Sequence, residues 1–254
     1  MPWFLLRTAP LDGPDNMALD AALMNRARRT GETVLRVYEW SEPTLSFGRH
    51  QRTLAEYDAD ALVRACIGVV RRPTGGRALL HHREVTYSVT APVTEPLGSA
   101  YERINTLLLN ALARLGVPAN LARSASSAPP PSSRPCFAEP SRGEVVVNGR
   151  KLVGSAQWRD GGALLQHGSI LVDDDQPVIA SFTKQSLPPV PPPATLRALL
   201  GRAPTSDEVL ACLLAAVRDV ADSRAEHVEL EPAVRDDATH LAHWYRSAAW
   251  TWRR

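Results

Sequence analysis

The sequence has few cysteines, little net charge and no long apolar run. Its three cysteines form no C-x-x-C pair, which argues against a disulfide framework or a zinc site and is typical of a reducing cytosol. A formal net charge of +2, with no block of five or more like charges, does not indicate a nucleic acid partner. No apolar run is long enough to span a membrane, and no cationic residue precedes the apolar part of the N-terminus. We therefore expect a cytoplasmic protein that binds neither nucleic acid nor a membrane.

Two common catalytic motifs are also absent from the sequence. Neither G-x-x-x-x-G-K-[ST] nor G-x-S-x-G occurs, so the chain has no P-loop and no hydrolase nucleophile elbow. His81, His82 and His167 invite a metal hypothesis, but no Cys, Asp or Glu stands at ligand spacing from them. We therefore expect no metal site.

Apolar periodicity and turn residues predict alternating strands and helices. The helix at 205–221 has the clearest signal, because Thr205 and Glu208 form a capping box before an apolar face. The aromatic tail at 244–252 is expected to pack back onto the body. The other predicted elements are strands at 3–7, 33–40, 44–47 and 69–72, a strand pair at 78–80 and 84–89, helices at 15–29, 54–66 and 99–115, and a short helix within 176–186.

Residues 136–171 contain the candidate active site. Asn148-Gly149 stands between two apolar runs and predicts a hairpin, because both turn residues need positive φ. A third run at 163–172 would extend the hairpin into a meander. Cys136 precedes the hairpin and Lys151 follows its turn, and a nearby positive charge lowers the pKa of a cysteine and raises its thiolate fraction. This spacing predicts a nucleophilic Cys136 with Lys151 beside it.

A free cysteine is more often a buried structural residue than a nucleophile. Cys66, on the apolar side of the predicted helix 54–66, and Cys212, beside the apolar face of the helix 205–221, both fit that role. Cys136 fits it less well, because it follows a Ser- and Pro-rich stretch at 123–135 that predicts a mobile surface loop. Partial exposure of Cys136 is therefore expected.

The turn Pro73-Thr74-Gly75-Gly76, hereafter the glycine loop, is preceded by Arg71-Arg72 and followed by Arg77. It could be no more than a tight connection between strands. Its functional interpretation is that two glycines allow the backbone to approach a ligand closely, while arginines bind phosphate or carboxylate oxygens.

Taken together, these motifs resemble the biotin/lipoate protein ligase superfamily. More narrowly, they resemble the bacterial octanoyltransferases of lipoate assembly that use a cysteine acyl-enzyme. The resemblance extends over residues 11–173 and implies an α/β (α+β) fold with a mixed central β-sheet flanked by helices. It predicts a single catalytic domain over 1–254, with a core at about 30–225, a C-terminal helix and an aromatic tail, and no ligase accessory domain. The motifs are NMALD, LRVYEW, PTLSFGRHQ, RRPTGGRALLH, EVTYSV, CFAEPS, NGRKLVGSAQWR and LQHGSI.

The resemblance implies that Cys136 takes an octanoyl group as a thioester from octanoyl acyl carrier protein. A lysine of a lipoyl domain, such as glycine cleavage H protein, then attacks this thioester. In the family, the lysine that matches Lys151 lowers the pKa of the cysteine, and neither ATP nor a metal is needed. We expect a monomer. The substrate-binding positions implied by the resemblance are Arg72, Thr74, Gly75, Gly76, Arg77, His82, Gly154, Ser155, Ala156, His167 and Gly168.

Three alternative functions remain open. ATP-dependent lipoate-protein ligases share the fold, but where they have a third glycine this chain has Arg77, and where they have His-Asp-x-Gly-Asn it has residues 82–86, HREVT. An octanoyl amidotransferase acting between lipoyl domains also uses a cysteine, although the LQHGSI and GSAQ forms favour the first-step transferase. A non-catalytic module that binds acyl groups would make Cys136 incidental.

Overall fold

Eleven strands in the described part of the chain form two β-sheets. The structure is a computed structural model that describes residues 2–123, 136–137 and 140–253. The strands are β1 (Trp3–Arg7), β2 (Thr33–Tyr38), β3 (Thr44–Phe47), β4 (Gly68–Arg71), β5 (Leu79–His81), β6 (Glu84–Pro92), β7 (Asn120–Leu121), β8 (Val145–Val147), β9 (Arg150–Asp160), β10 (Ala163–Leu171) and β11 (Glu226–His227).

The larger sheet is mixed, as predicted. Its strand order over the described residues is β11-β1-β2-β6-β10-β9-β8-β7, with β11, β1 and β2 parallel and the remaining neighbours antiparallel. The smaller sheet has the order β4-β3-β5, in which β3 is parallel to β4 and antiparallel to β5. The predicted meander is confirmed, because β8, β9 and β10 follow one another as antiparallel neighbours.

Helices cover both faces of the larger sheet. Neighbouring side chains on a strand point to opposite faces, so Leu5 packs in one core cluster with the helices at Leu97–Arg114 and Ser206–Val220, while Leu6 packs in another with those at Gly13–Thr30 and Pro232–Arg246. All six residues of β2 are consequently buried. The helices are α1 (Gly13–Thr30), α2 (Thr53–Glu56), α3 (Ala59–Arg64), α4 (Leu97–Arg114), α5 (Leu196–Leu200), α6 (Ser206–Val220), α7 (Pro232–Arg246) and α8 (Ala248–Thr251), with a 3-10 helix at Gln176–Phe182.

Local sequence signals define the ends of the long helices. Asp12 caps α1 by accepting a hydrogen bond from the Asp15 amide at 2.8 Å, and Gly31 ends this helix at φ 73°. The capping box of Thr205 and Glu208 is present at the start of α6, as predicted. None of the described helices combines the length and apolar character that crossing a bilayer requires.

The aromatic tail packs against the smaller sheet, as predicted. The buried guanidinium of Arg71 donates to the carbonyl oxygens of Trp250 (2.8 Å) and Thr251 (3.1 Å). In return, the Trp250 indole N–H donates to the Arg71 carbonyl oxygen at 2.9 Å. Trp252 lies against Phe47, with ring centroids 5.6 Å apart. The tail therefore holds the strand that leads into the glycine loop.

The predicted helix at 54–66 was wrong, because the chain forms α2 and α3 instead. Tyr57 between them is extended, the Asp58 amide donates to the Phe182 carbonyl oxygen, and the Asp58 carboxylate caps α3. Val63 is 75% exposed, and Cys66 lies beyond the helix, exposed and at φ 54°. The expectation that Cys66 is buried was therefore also wrong. These differences arise from contacts with a distant segment.

The predicted strand pair was wrong, and one helix was not predicted. The strands predicted as a pair at 78–80 and 84–89 do not pair with each other: β5 pairs with β3, whereas both edges of β6 are occupied by β2 and β10. Helix α7 was not predicted, and α1 and α7 contribute buried residues outside the range 30–225. The predicted mobile loop at 123–135 lies outside the described residues from position 124 onward.

Candidate active site

The β8–β9 hairpin places Lys151 inside the protein. Its turn residues Asn148 and Gly149 have φ of 50° and 74°, the positive values that the Asn-Gly pair predicts. Lys151 is the second residue of β9, lies opposite Val146 and is 3% exposed. A lysine buried this deeply needs hydrogen-bond acceptors for its ammonium group.

Three acceptors surround the Lys151 ammonium. Its Nζ lies 2.8 Å from the Cys136 carbonyl oxygen, 3.5 Å from Cys136 Sγ and 2.8 Å from Glu144 Oε1. Burial lowers the pKa of Lys151, but the negative charges of the Cys136 thiolate and Glu144 outweigh this effect and raise the pKa above its ordinary value. The lysine is therefore charged at neutral pH, with its ammonium group directed at Cys136 and Glu144.

Glu144 was not predicted from the sequence. It is 6% exposed, and besides Lys151 it accepts a hydrogen bond from the Ser141 amide at 2.7 Å. Its position just before an apolar run resembles that of an ordinary polar residue at a strand start. Only the fold, which pairs β8 with β9, brings its carboxylate to Lys151.

Cys136 is half-buried, in agreement with the expected partial exposure. Its backbone N–H donates to the Ala78 carbonyl oxygen at 2.9 Å, and its side chain packs beside Leu79, Phe137 and Leu171. A Cβ atom on Gly154 would lie 3.3 Å from Cys136 Sγ and 3.1 Å from Lys151 Cε. The glycine in β9 thus leaves room for the thiol and the ammonium to lie side by side.

Arg72 supports the glycine loop from inside the protein. Its guanidinium donates to the Ser46 carbonyl oxygen (2.9 Å) and hydroxyl (2.6 Å), and to the carbonyl oxygens of Gly75 (3.1 Å) and Arg77 (2.9 Å). The loop also lies so close to Gly48 that a Cβ there would be 1.9 Å from the carbonyl oxygen of the loop's last residue. These contacts fix the loop backbone and engage both terminal nitrogens of Arg72.

A buried hydrogen-bonded chain links Asp20 to the glycine loop. Asp20 Oδ2 lies 3.3 Å from His167 Nδ1, and His167 Nε2 lies 2.7 Å from the Thr74 hydroxyl oxygen. Burial raises the pKa of Asp20, but the His167 hydrogen bond and the Arg36 charge, 2.8 Å away, hold it below its usual value. Because this carboxylate only accepts, His167 Nδ1 carries the proton and Nε2 accepts from Thr74. Burial also lowers the pKa of His167, so its ring is neutral.

The two adjacent histidines have different environments. His81 is buried, stacks on Trp40 with ring centroids 3.9 Å apart and lies 3.1 Å from Glu84. Burial lowers the pKa of His81. His82, which we expected at the substrate site, is instead exposed and lies 2.9 Å from an Asp175 carboxylate oxygen. His81 is the last residue of β5 and lines the cavity, whereas His82 follows the strand and does not line it.

A cavity of about 380 Å³ lies between the glycine loop and the β9–β10 pair. Met17, Tyr38, Trp40 and Leu79 give it an apolar and aromatic wall. Thr74 does not line it but contacts His167, which does. Eleven of the predicted site residues line it: Arg72, Gly75, Gly76, Arg77, Cys136, Lys151, Gly154, Ser155, Ala156, His167 and Gly168.

The cavity wall depends on a glycine in β10. A Cβ on Gly168 would lie 2.6 Å from the Gly154 carbonyl oxygen and 2.8 Å from Ser155 Oγ, which is itself 2.7 Å from the Tyr87 hydroxyl. Only glycine therefore allows β9 and β10 to come this close at the site. Across the described ranges, no group of three or more His, Cys, Asp or Glu side chains is arranged to hold a metal ion.

A model of the lipoyl protein ligase A/B catalytic domain matches residues 12–218. The chain belongs to this family. Among its curated relatives, an octanoyltransferase LipM of Kyrpidia tusciae is 38% identical over 272 aligned residues, covering 99% of each chain. An octanoyltransferase LipM of Staphylococcus aureus is 42% identical over 185 residues, covering 68% of this chain and 67% of the relative. Membership of the family confirms the resemblance read from the sequence motifs.

Solved structures of the lipoyl protein ligase A/B family share this fold. A lipoate-protein ligase A bound with ATP superposes with a TM-score of 0.83 at 21% identity and covers 99% of both chains. A putative lipoate protein ligase from T. acidophilum with bound lipoic acid gives a TM-score of 0.81 at 21% identity, covering 99% of this chain and 100% of that one. At this identity the similarity confirms the predicted fold class and carries no information on substrates.

Proposed function

We propose that this chain is an octanoyltransferase of protein lipoylation. Cys136 takes the octanoyl group from octanoyl acyl carrier protein as a thioester, and a lipoyl-domain lysine, such as that of glycine cleavage H protein, then receives it. The observation that carries this proposal is the Lys151 ammonium 3.5 Å from Cys136 Sγ in an apolar-walled cavity. The octanoyltransferase names of the bacterial relatives support the choice of acyl group.

In the first transfer, the Cys136 thiolate attacks the carbonyl carbon of the donor thioester. A new C–S bond forms, the bond to the carrier sulfur breaks, and the departing thiolate takes a proton from water. Lys151 stabilises the attacking thiolate, which makes a sulfur nucleophile available at neutral pH. Glu144 remains beside Lys151 when the sulfur loses its charge, so the buried ammonium keeps an anionic partner in the acyl-enzyme.

In the second transfer, the neutral ε-amine of the acceptor lysine attacks the Cys136 thioester. The C–N bond forms, Cys136 leaves as a thiolate beside Lys151, and the nitrogen loses its extra proton to this sulfur. Exchange of one thioester for another is nearly isoenergetic, and conversion of a thioester to an amide is downhill. The proposed reaction therefore requires neither ATP nor a metal.

The cavity has the shape and chemistry to hold a medium-length acyl chain. Met17, Tyr38, Trp40 and Leu79 offer apolar surface, and Leu79 also packs beside Cys136. In the proposed complex, the glycine loop and residues 154–156 flank the chain next to the thioester. This placement would keep water from the acyl-enzyme until the acceptor lysine enters.

Intact-mass measurement tests the proposal directly. Wild type incubated with octanoyl carrier protein, in EDTA and without ATP, should gain one octanoyl group, and Cys136→Ser should gain none. Cys66→Ser is the matched control, because Cys66 is exposed and lies outside the cavity. If wild type gains no adduct, or if Cys136→Ser gains it equally, the thioester mechanism is wrong.

The acceptor reaction separates the alternative functions. Octanoyl acyl-enzyme mixed with a lipoyl domain should return to the unmodified mass while the domain gains octanoyl. Modification of the domain only with ATP and free octanoate would identify a ligase, and modification only from an octanoylated lipoyl domain would identify an amidotransferase. A protein that binds octanoyl groups without transferring them would be a non-catalytic module.

A further inference from the structure

Three buried cations line the described part of the cavity, and one of them, Arg77, has a side-chain nitrogen with no hydrogen-bond partner among the described residues. The N–H groups of Lys151 are directed at Cys136 and Glu144. The Arg72 guanidinium is bonded to Ser46 and to carbonyl oxygens of the chain. Arg77 is only 8% exposed, and no described residue accepts a hydrogen bond from its Nε. A buried N–H donor without an acceptor is costly, which favours a ligand that accepts a hydrogen bond from Arg77 Nε.

Arg77 is buried and lines the same cavity as Cys136. The next residue, Ala78, accepts the hydrogen bond from the Cys136 backbone amide at 2.9 Å. Leu79, two residues further on, packs beside the Cys136 side chain and lines the same cavity as Arg77. The backbone segment that holds Cys136 in place therefore also carries Arg77 into the cavity.

We propose that Arg77 binds the carbonyl oxygen of the acyl thioester and stabilises the oxyanion that forms there. This inference rests on the proposed acyl transfer. When the Cys136 thiolate attacks, the C–S bond forms and the carbonyl π electrons move to oxygen. When the tetrahedral intermediate collapses, those electrons re-form the C=O bond and the other sulfur leaves. Arg77 supplies donors to that oxygen in both transfers, and no proton passes to or from Arg77.

The contacts of Lys151 and Arg77 assign a different role to each of them. Lys151 already contacts the sulfur, so it stabilises the negative charge before attack and after departure. Arg77 Nε–H has no acceptor among the described residues, so this donor is available to the oxygen, where the charge appears during attack. Preorganised donors at that position are worth roughly 100- to 1,000-fold in rate for one lost donor group.

Two electrophiles distinguish the role of Arg77 from that of Lys151 in the full-length chain. Acylation by an octanoyl thioester passes through an oxyanion, whereas alkylation of Cys136 by iodoacetamide does not. Arg77→Met should slow single-turnover acylation about 100-fold or more and leave alkylation within about twofold. Arg77→Lys should recover part of the acylation rate. Arg83→Gln, which removes an exposed guanidinium paired with Asp173, is the control and should leave both rates unchanged.

The choice of donor tests the competing interpretation that Arg77 binds the phosphate of the carrier's pantetheine arm. Octanoyl N-acetylcysteamine has the thioester but no phosphate, so an oxyanion role predicts the same rate loss with this donor as with octanoyl carrier protein. A loss of acylation rate that occurs only with octanoyl carrier protein as donor would show that Arg77 binds the phosphate, and it would overturn the proposal.

Folding and reactivity controls complete the experiment. Arg77→Met removes a buried charge whose Nε has no acceptor among the described residues, so its thermal midpoint should not fall below that of wild type. If alkylation slows as much as acylation, Arg77 acts on the thiolate and the inference is wrong. If wild type gains octanoyl and Arg77→Met gains it equally fast, only this inference fails. If wild type gains none, the proposed function fails with it.

Discussion

The contacts of Lys151 predict that its effects on reactivity and on stability can be separated. Lys151→Met removes the positive charge 3.5 Å from Cys136 Sγ. Two unit charges at this distance attract by about 5 kcal/mol at an effective dielectric constant of 20. Desolvation and the opposing charge of Glu144 offset much of this attraction. We expect a net loss of roughly 1–2 kcal/mol in thiolate stabilisation, which slows alkylation of Cys136 at pH 7 by about 5- to 30-fold.

The same substitution should also destabilise the fold, because it leaves the Glu144 carboxylate buried without its ion pair. Removing one partner of a buried pair costs about 3–5 kcal/mol. In the double variant Lys151→Met/Glu144→Gln, the glutamine oxygen can still accept from the Ser141 amide. The double variant should therefore recover most of the lost stability while its Cys136 remains slow to react.

The assay is iodoacetamide alkylation followed by intact mass, with urea unfolding measured in parallel on each protein. Cys136→Ser gives the background from Cys66 and Cys212. Lys184→Met is the matched control, because Lys184 is the only other lysine of the sequence and is exposed. An alkylation rate in Lys151→Met equal to that of wild type would refute the electrostatic role. A double variant that regains both stability and reactivity would show that the slow alkylation came from misfolding.

Three further predictions concern the framework. His167 is buried with a lowered pKa, so below about pH 6.5 the unfolded chain binds a proton that the folded chain does not. Stability should then fall as pH drops from 7.5 to 5.5, and the thermal midpoint of His167→Gln should fall less. Gly48→Ala forces a Cβ to 1.9 Å from a glycine-loop carbonyl oxygen and should cost about 1–3 kcal/mol or more, whereas Gly98→Ala, with no neighbour within 4 Å, should not destabilise. Trp250→Ala should cost about 3–5 kcal/mol, against about 0.5 kcal/mol or less for the 53% exposed Trp244.

Each of these predictions has a contradicting result. An equal fall of the thermal midpoint in His167→Gln and wild type would assign the pH dependence to other groups. Equal urea midpoints for Gly48→Ala and Gly98→Ala would mean that the glycine loop moves freely away from its neighbour. Equal losses for the alanine variants of Trp250 and Trp244 would mean that the tail is not anchored through the buried ring.

Features encoded by neighbouring residues were predicted well. The Asn148-Gly149 turn and the Thr205 capping box each depend on a few adjacent positions, and the structure has both. The hairpin also predicted the position of Lys151 just after the turn, whereas Cys136 is held beside it by a backbone hydrogen bond to the distant Ala78. The resemblance to the family predicted that the glycine loop is part of the substrate pocket. In the structure, this loop forms the cavity wall opposite the β9–β10 pair.

Features that depend on distant pairing were missed. Glu144 joins the site only through the β8–β9 register, and Asp20 reaches His167 only because α1 packs on β10. The break at Tyr57 depends on a hydrogen bond between Asp58 and Phe182, more than a hundred residues away. Apolar periodicity carries no information on contacts with distant residues. It therefore predicted one continuous helix where the structure has two helices separated at Tyr57.

The contacts of Arg71 with the tail impose an order on biosynthesis. Residues 44–81, which form the smaller sheet and the glycine loop, emerge from the ribosome long before residues 250–253. Until then the buried Arg71 guanidinium lacks the carbonyl oxygens of Trp250 and Thr251. The strand that leads into the glycine loop therefore gains its last hydrogen bonds only after residues 250–251 have been made. A nascent chain carries the Cys136 thiol before the guanidinium of Arg71 is fully hydrogen-bonded.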